Sequence, residues 1–299
     1  MSKQHIASTN ILGGITQKIT DYSLLFKLKL SLLVVFSAVI AYLIAAQGSI
    51  NWIAVAALGV GGFLITAAAN TLNQVLERDY DKMMNRTANR PLATGRMSVS
   101  EAVMIAGFLS LVGIMLLATF NPWTALLGTI SLISYAFVYT PMKRVSPIAV
   151  LIGAVPGALP TAIGVVAVEG TITPLAIALF AIQFFWQFPH FWAIAWVGHE
   201  DYTRAGFQLL PSKTGEQDEN AGFQSFIYAI LLLLVSWMPY ALGATGLISA
   251  IVLTILGMVY AFYSWELYKK CTREAALKLM FCSFFYLPIA LIVLLIDKV

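Results

Sequence analysis

Charge is scarce in this chain. Of its 299 residues only 11% are Asp, Glu, Lys or Arg, while 60% are hydrophobic. A water-soluble globular domain carries roughly 25% charged residues. A soluble fold, a DNA-binding domain and a disordered regulator are therefore excluded together, and the chain belongs in a lipid bilayer. Cysteine is scarcer still: Cys271 and Cys282 are too few for a disulfide framework. The three histidines, His5, His190 and His199, have no metal-ligand spacing. The leader up to Lys29 lacks the small-residue cleavage site of a signal peptide, so the first apolar segment reads as a retained anchor. It also lacks the Arg/Ser-rich character of an organelle transit peptide.

Where charge is missing altogether, the gaps count the spans. Residues 30–76, 102–142, 220–265 and 279–296 carry no charged side chain, and 145–199 carry only Glu169. A spanning helix needs about 20 apolar residues, because ~30 Å of hydrocarbon is crossed at ~1.5 Å per residue. The four long gaps hold two helices each and the last holds one. Turn signals divide each long gap near its middle: Gly48-Ser49-Ile50-Asn51, Phe120-Asn121-Pro122, Val168-Glu169-Gly170-Thr171 and Gly243-Ala244-Thr245-Gly246. The sequence thus predicts an all-α membrane protein with nine transmembrane helices around a central cavity that opens to the cytoplasmic side. The expected spans are 28–47, 52–74, 101–119, 123–141, 147–167, 173–197, 223–240, 246–266 and 278–296. Residues 1–27 form a cytoplasmic segment ahead of a single intramembrane domain over 28–299.

With nine spans, the loops after spans 2, 4, 6 and 8 share a side with the N-terminus. That side collects seventeen of the eighteen Lys and Arg residues, Lys3 and Lys213 among them, and only Lys298 lies opposite. The positive-inside rule makes it cytoplasmic and puts the C-terminus across the membrane. A wrong span count would scatter these bases over both faces. The loops after spans 2 and 6 are the long ones, about 20 to 25 residues each, so length and charge gather on one face.

The densest polar group lies at the end of span 2. Asn73, Glu77 and Asp81 are four apart and stack on one helix face, each turned only ~40° from the last. Carboxylates at that spacing repel in a low-dielectric setting unless a cation sits between them. Two carboxylates and an amide are hard oxygen ligands suited to Mg2+, which completes its shell with waters and substrate phosphates. Arg86 and Arg90, also four apart, could receive those phosphates. A helix end entering water also carries acids and arginines, but not at this spacing and in this order. The group reads as a metal–diphosphate site at the membrane boundary.

Two other stretches stand out. Span 6 holds His190 inside an aromatic run, and a histidine at membrane depth is a functional candidate by default. Span 5 holds Gly153, Gly157, Gly164, Pro156 and Pro160, which read as close packing and bending. Arg90-Pro91-Leu92-Ala93-Thr94-Gly95 faintly echoes Leu210-Pro211-Ser212-Lys213-Thr214-Gly215, as in a repeat whose two loops meet over one cavity. Polar groups in a membrane also mark transport paths. Transporters place coupling carboxylates near the midplane, whereas every acid here except Glu169 and Asp297 falls at the cytoplasmic end of the spans.

Asn73-x3-Glu77-x-Asp79-x-Asp81 with Met84-x-Arg86-Thr87-x2-Arg90-Pro91 resembles the first aspartate-rich motif of the UbiA-type intramembrane prenyltransferases. Many members have Asp where this chain has Glu77. The likeness covers nearly the whole chain. Tyr139-x3-Lys143 is similar to a family element near the diphosphate. It implies that Lys143, with Arg144 beside it, contacts phosphate and that Tyr139 faces the reaction chamber. Most members carry a second aspartate-rich motif at the end of span 6. Here Pro189-His190-Phe191 and Asp201-Tyr202-x-Arg204-Ala205-Gly206 stand in its place and resemble the branch that farnesylates protohaem.

That resemblance implies farnesyl diphosphate and haem b as substrates, haem O as product, and Mg2+ held by Asn73, Glu77 and Asp81. It implies phosphate contacts from Arg86, Arg90 and Lys143. His190 would orient or ligate the haem or position a water, while Asp201 and Arg204 would close a lid or bind a haem propionate. The expected setting is a bacterial inner membrane, with haem A synthase or a terminal oxidase as downstream partner and no nucleic acid. The same-fold alternative takes an aromatic acceptor such as 4-hydroxybenzoate.

Overall fold

A computed structural model describes residue 14 and residues 16–212 and 215–299. Lys3 and His5 in the leader, and Lys213 and Thr214 of the echo motif, lie outside the described residues. Nine helices among the described residues are long and apolar enough to cross a membrane. They are α1 (Leu28–Ala45), α2 (Trp52–Asp81), α3 (Val99–Ala118), α4 (Pro122–Met142), α5 (Ala149–Glu169), α6 (Pro174–Val197), α7 (Glu219–Ala241), α8 (Leu247–Lys270) and α9 (Arg273–Ile296). All nine expected spans are present, and the chain is an all-α, multi-pass membrane protein.

The helix ends follow capping chemistry more closely than hydropathy. Side chains of Asn51, Ser98, Asn121, Thr173, Asp218 and Thr272 accept hydrogen bonds from the first free N–H groups of α2, α3, α4, α6, α7 and α9. Pro122 and Pro174 occupy first-turn positions, where no N–H is needed. Two ends depart from expectation for this reason. Helix α9 begins at Arg273, five residues before the expected 278, because Thr272 caps it. Helix α2 continues to Asp81, seven residues past 74, because its last polar turns are buried against protein instead of entering water. Helix α4 contains a π-helical stretch, Ser134–Tyr139, just before its end.

Helix α5 is the most enclosed: 78% of its apolar window is buried, against 22% for α3. Its small residues make that possible. A Cβ on Gly164 would overlap the Ala38 carbonyl oxygen of α1, and one on Gly157 would overlap the Gln187 amide of α6. Its prolines cost backbone hydrogen bonds, since Pro160 leaves the Pro156 carbonyl without an intrahelical donor. Ser131 Oγ of α4 donates to that carbonyl at 3.3 Å. From α6, Gln183 Nε2 donates to the Gly157 carbonyl at 2.8 Å and Gln187 Nε2 to the Ala154 carbonyl at 3.1 Å. Neighbouring helices thus satisfy groups that lipid could not. Packing explains these α5 residues, and it fixes α4 and α6 on either side of them.

Candidate active site

The last three turns of α2 carry Asn73, Glu77 and Asp81 on one stripe, and all three are at most 4% exposed. Each meets a base from a different segment. Asn73 Oδ1 accepts from Lys27 Nζ at 2.8 Å, while Asn73 Nδ2 donates to Thr140 Oγ1 at 3.0 Å. Glu77 Oε1 pairs with Lys143 Nζ. Both Asp81 carboxylate oxygens accept from Arg90 Nη1 at 2.8 Å. The stripe therefore faces inward, toward the segment before α1, the end of α4 and the loop after α2.

Local structure explains how each base arrives. The chain leaves the helix after Asp81 and turns back, held by Thr87 Oγ1 donating to the Asp81 carbonyl at 2.9 Å. Pro91 then opens a short helix, Pro91–Thr94, which fixes Arg90 just ahead of it. Lys143 follows the π-helical stretch of α4. Its ammonium lies 5.0 Å from the Tyr139 ring centre and 5.1 Å from that of Phe207. Gly153 of α5 admits the Tyr139 ring, which a Cβ there would meet at 2.7 Å. Arg144 lies 4.2 Å over the Tyr80 ring.

Arg86 and Arg90 are not brought together. They stand four apart in sequence, but residues 82–90 are turns and bends, so helical spacing does not apply. Arg90 points to Asp81, whereas Arg86 Nη2 donates to Tyr202 Oη at 2.7 Å and lies 5.3 Å over that ring. Tyr202 belongs to a short helix, His199–Arg204, that follows α6. Asp201 Oδ1 accepts from the Asn85 backbone N–H at 3.3 Å, and Arg204 Nη1 donates to Asp201 Oδ1 and to the Met83 carbonyl, both at 3.4 Å. The Gln208 N–H donates to the Lys143 carbonyl at 2.7 Å. The loops after α2 and α6 thus close against each other over the stripe. A polar cavity of about 340 Å³ lies beside this closure, lined by Asn85, His199, Glu200, Asp201 and Arg273, among others.

His190 lies elsewhere. Its Nδ1 is 2.7 Å from Ser283 Oγ of α9, and its ring stacks on Trp186 with centroids 4.6 Å apart. The ring contacts come from α6 and α9, not from the α2 stripe.

Lys27 was not singled out by sequence, since it reads there as one more base at the start of a span. Burial, with Arg90 and Lys143 nearby, holds its pKa well below the usual lysine value. Among the described residues, no three His, Cys, Asp or Glu side chains cluster closely enough to hold a metal alone. Mg2+ binds through one or two carboxylates plus substrate phosphates and seldom in an all-protein cage. The donor chemistry of the stripe fits such an ion: hard, buried oxygens on successive turns, already facing bases that could turn to phosphate.

The chain matches the UbiA prenyltransferase family over residues 34–287. It is 44% identical to a protoheme IX farnesyltransferase of Cytophaga hutchinsonii, over 93% of this chain and 97% of that protein. It is 40% identical to a protoheme IX farnesyltransferase of Christiangramia forsetii, over 98% of each. Among solved structures it resembles a digeranylgeranylglyceryl phosphate synthase, with TM-score 0.79 and 20% identity over 94% of this chain and 98% of that one. It also resembles a UbiA homolog from Archaeoglobus fulgidus bound to DMAPP and Mg2+, with TM-score 0.67 and 19% identity over 92% and 99% of the two chains. The two structural likenesses concern the fold.

Proposed function

This chain belongs to the UbiA prenyltransferase family, and from that premise we propose that it transfers a farnesyl group from farnesyl diphosphate to a vinyl group of haem b, giving haem O. The names of its relatives supply the acceptor and the prenyl group. The observation that carries the reading is the buried stripe of Asn73, Glu77 and Asp81, each held by its own base.

Two carboxylates balance Lys143 and Arg90, and Lys27, whose pKa lies well below the usual lysine value without an anion beside it, takes up a proton as the anion binds and leaves about one positive charge. A diphosphate bearing about three negative charges, together with one Mg2+, restores neutrality in a site where residual charge is costly. Mg2+ when bound neutralises charge on the departing diphosphate. Lys143 and Arg90, freed from the carboxylates, donate to phosphate oxygens as charge-assisted donors. Arg86, held on Tyr202, and Arg144, over the Tyr80 ring, add positive charge on the same face and guide the anion in. The allylic C–O bond breaks and its electron pair leaves with the diphosphate. The vinyl electrons form the new C–C bond, and water adds to the resulting cation and loses a proton. Tyr139, packed on α5, walls the chamber beside Lys143 and excludes bulk water. Asp201 and Arg204 hold the loop after α6 closed during this step.

The base-rich face lies in the cytoplasm of a bacterium, with the C-terminus across its inner membrane, and the product passes to haem A synthase or a terminal oxidase. Membranes containing the chain, given haem b, farnesyl diphosphate and Mg2+, should yield a farnesylated, hydrated haem by mass spectrometry. Adding 4-hydroxybenzoate to the same assay tests the aromatic acceptor. Unmodified haem in every fraction overturns the assignment.

A further inference from the structure

The backbone just ahead of α1 adopts a conformation that its sequence does not favour. Lys27 has φ 47° and ψ 55°, in the left-handed region. A side chain costs conformational free energy there, so glycine is the usual occupant where a helix ends in such a turn. At Lys27 a surface helix over residues 16–25 has just ended, and α1 begins at Leu28. Glycine would make the same turn without strain. Strain of this kind persists only where the surroundings enforce it, and it collects at functional sites. The Lys27 ammonium, held 2.8 Å from Asn73 Oδ1 and 3.4 Å from Tyr135 Oη, is what this turn delivers.

Two buried amides of α2 enforce the turn. Gln74 Nε2 donates to the Leu24 and Leu25 carbonyls at 2.9 and 2.8 Å. Both partners are acceptors, so only the NH2 group can face them. Gln74 Oε1 is left buried without a partner. An orphaned buried carbonyl is costly, and an apolar residue would incur no such cost. Asn70 Nδ2 donates to the Phe26 carbonyl at 3.4 Å and to Ser31 Oγ at 3.1 Å, and Ser31 Oγ donates to the same carbonyl at 2.7 Å. These carbonyls belong to the end of the surface helix, which is short of intrahelical donors. That helix is fixed in turn by Leu25, packed with Leu92, Met97 and Ala102, and by Asp21, which pairs with Arg96 at 2.8 Å. Arg96 Nη2 also donates to the Asn89 carbonyl at 2.7 Å, next to Arg90. The segments that carry Lys27 and Arg90 are therefore braced against each other.

We propose that Asn70 and Gln74 are positioning residues of the diphosphate site: they hold the chain at Lys27 in its left-handed turn, so that the Lys27 ammonium donates to the same anion as Lys143 and Arg90. This rests on the diphosphate reading above and adds to it a cytoplasmic helix and two amides that touch no substrate. A long side chain on a relaxed junction would lose its freedom at each binding event, whereas one placed beforehand does not.

Purified full-length protein in detergent is titrated with inorganic diphosphate and Mg2+ by calorimetry, and the same preparations are assayed for haem O formation and thermal unfolding. Lys27→Gly removes the donor and the strain together. It should weaken diphosphate binding at least about tenfold and raise the KM for farnesyl diphosphate but not that for haem b. Its melting midpoint should lie within about 2 °C of wild type's or above it. If Lys27→Gly does not survive purification, Lys27→Asn also tolerates the turn and should lose the same affinity. Gln74→Leu or Asn70→Ala keeps the lysine and loosens its turn, and either should weaken diphosphate binding about tenfold. In the Lys27→Gly background the same changes should cost no more than about threefold, because the ammonium they position is gone. A merely structural amide would cost as much in both backgrounds. The inference is overturned by such additivity, by Lys27→Gly or Lys27→Asn binding diphosphate like wild type, or by a midpoint for Lys27→Gly that falls about 5 °C or more. Haem O from wild type beside unchanged diphosphate binding in the Lys27 variants sinks this inference and leaves the farnesyl transfer standing. Wild type that neither binds diphosphate nor forms product sinks both.

Discussion

The Lys143–Glu77 pair joins stability to chemistry in a way that a double-mutant cycle separates. Lys143 is 8% exposed and Glu77 4%, so removing one partner strands the other in a dry site. Lys143→Met keeps the volume and removes the charge. Stranding a buried partner typically costs about 3 to 5 kcal/mol. For a chain of this size that lowers the melting midpoint in detergent on the order of 5 to 10 °C. Glu77→Gln should cost less, because Lys143 can still lie against Tyr139 and Phe207. The double variant has no stranded charge and should recover most of the midpoint, with a coupling energy of about 3 kcal/mol. Turnover should not follow stability. Loss of one donor to a departing oxyanion lowers kcat/KM by about 100- to 1,000-fold, and the double variant loses one carboxylate charge facing the metal as well. The assay is haem O formation under farnesyl diphosphate titration, beside thermal unfolding of the same samples. Lys143→Met within about threefold of wild type, or a double variant that regains turnover with its stability, would refute the reasoning.

Three further outcomes are expected. Chelation by EDTA should stop product formation and added Mg2+ should restore it; undiminished turnover in excess chelator would remove the metal from the stripe. Arg90→Lys keeps the charge but replaces the guanidinium that meets both oxygens of Asp81 at 2.8 Å. It should cost about tenfold or more in kcat/KM, read from initial rates. Gly157→Ala drives a Cβ into the Gln187 amide and should destabilise by about 1 to 3 kcal/mol. Adding Gln187→Ala should recover part of that in the same melting assay.

The span count was legible because lipid thickness sets a length, and runs without charge of that length stand out in any sequence. The ends were not, because hydropathy stops at the last apolar residue while a helix stops at its cap. Leu76 ends the charge-free run in α2, yet the helix continues through the buried Glu77 and Asp81. Asn73, Glu77 and Asp81 were legible for the same reason: one helix carries them, and its period fixes their face. Which base meets which acid was not. Arg86 and Arg90 have helical spacing but lie in turns, so one reaches Tyr202 and the other Asp81. Lys27 precedes α1 and looked like a membrane-edge base, and only the tertiary fold carries it to Asn73.

The same limit explains why the loop after α6 matters more than its sequence suggested. It contributes no carboxylate to the stripe, so it would seem to serve the acceptor alone. Yet its Gln208 N–H holds the Lys143 carbonyl, its Phe207 ring lies over the Lys143 ammonium, and its Tyr202 holds Arg86. Two bases of the diphosphate side are therefore positioned by the segment that follows the histidine helix. On the proposed reaction, an acceptor that shifted the end of α6 would move Lys143 and Arg86 with it. Closing of the loop over the acceptor and the turning of these bases toward phosphate would then be one motion. Such coupling would keep the allylic bond intact until something is present to capture the cation. Arg86→Ala, which cuts one of these ties without touching the stripe, should accordingly raise the fraction of farnesyl diphosphate lost to water as free farnesol, measured against haem O formed. An unchanged ratio would mean that the two loops act independently.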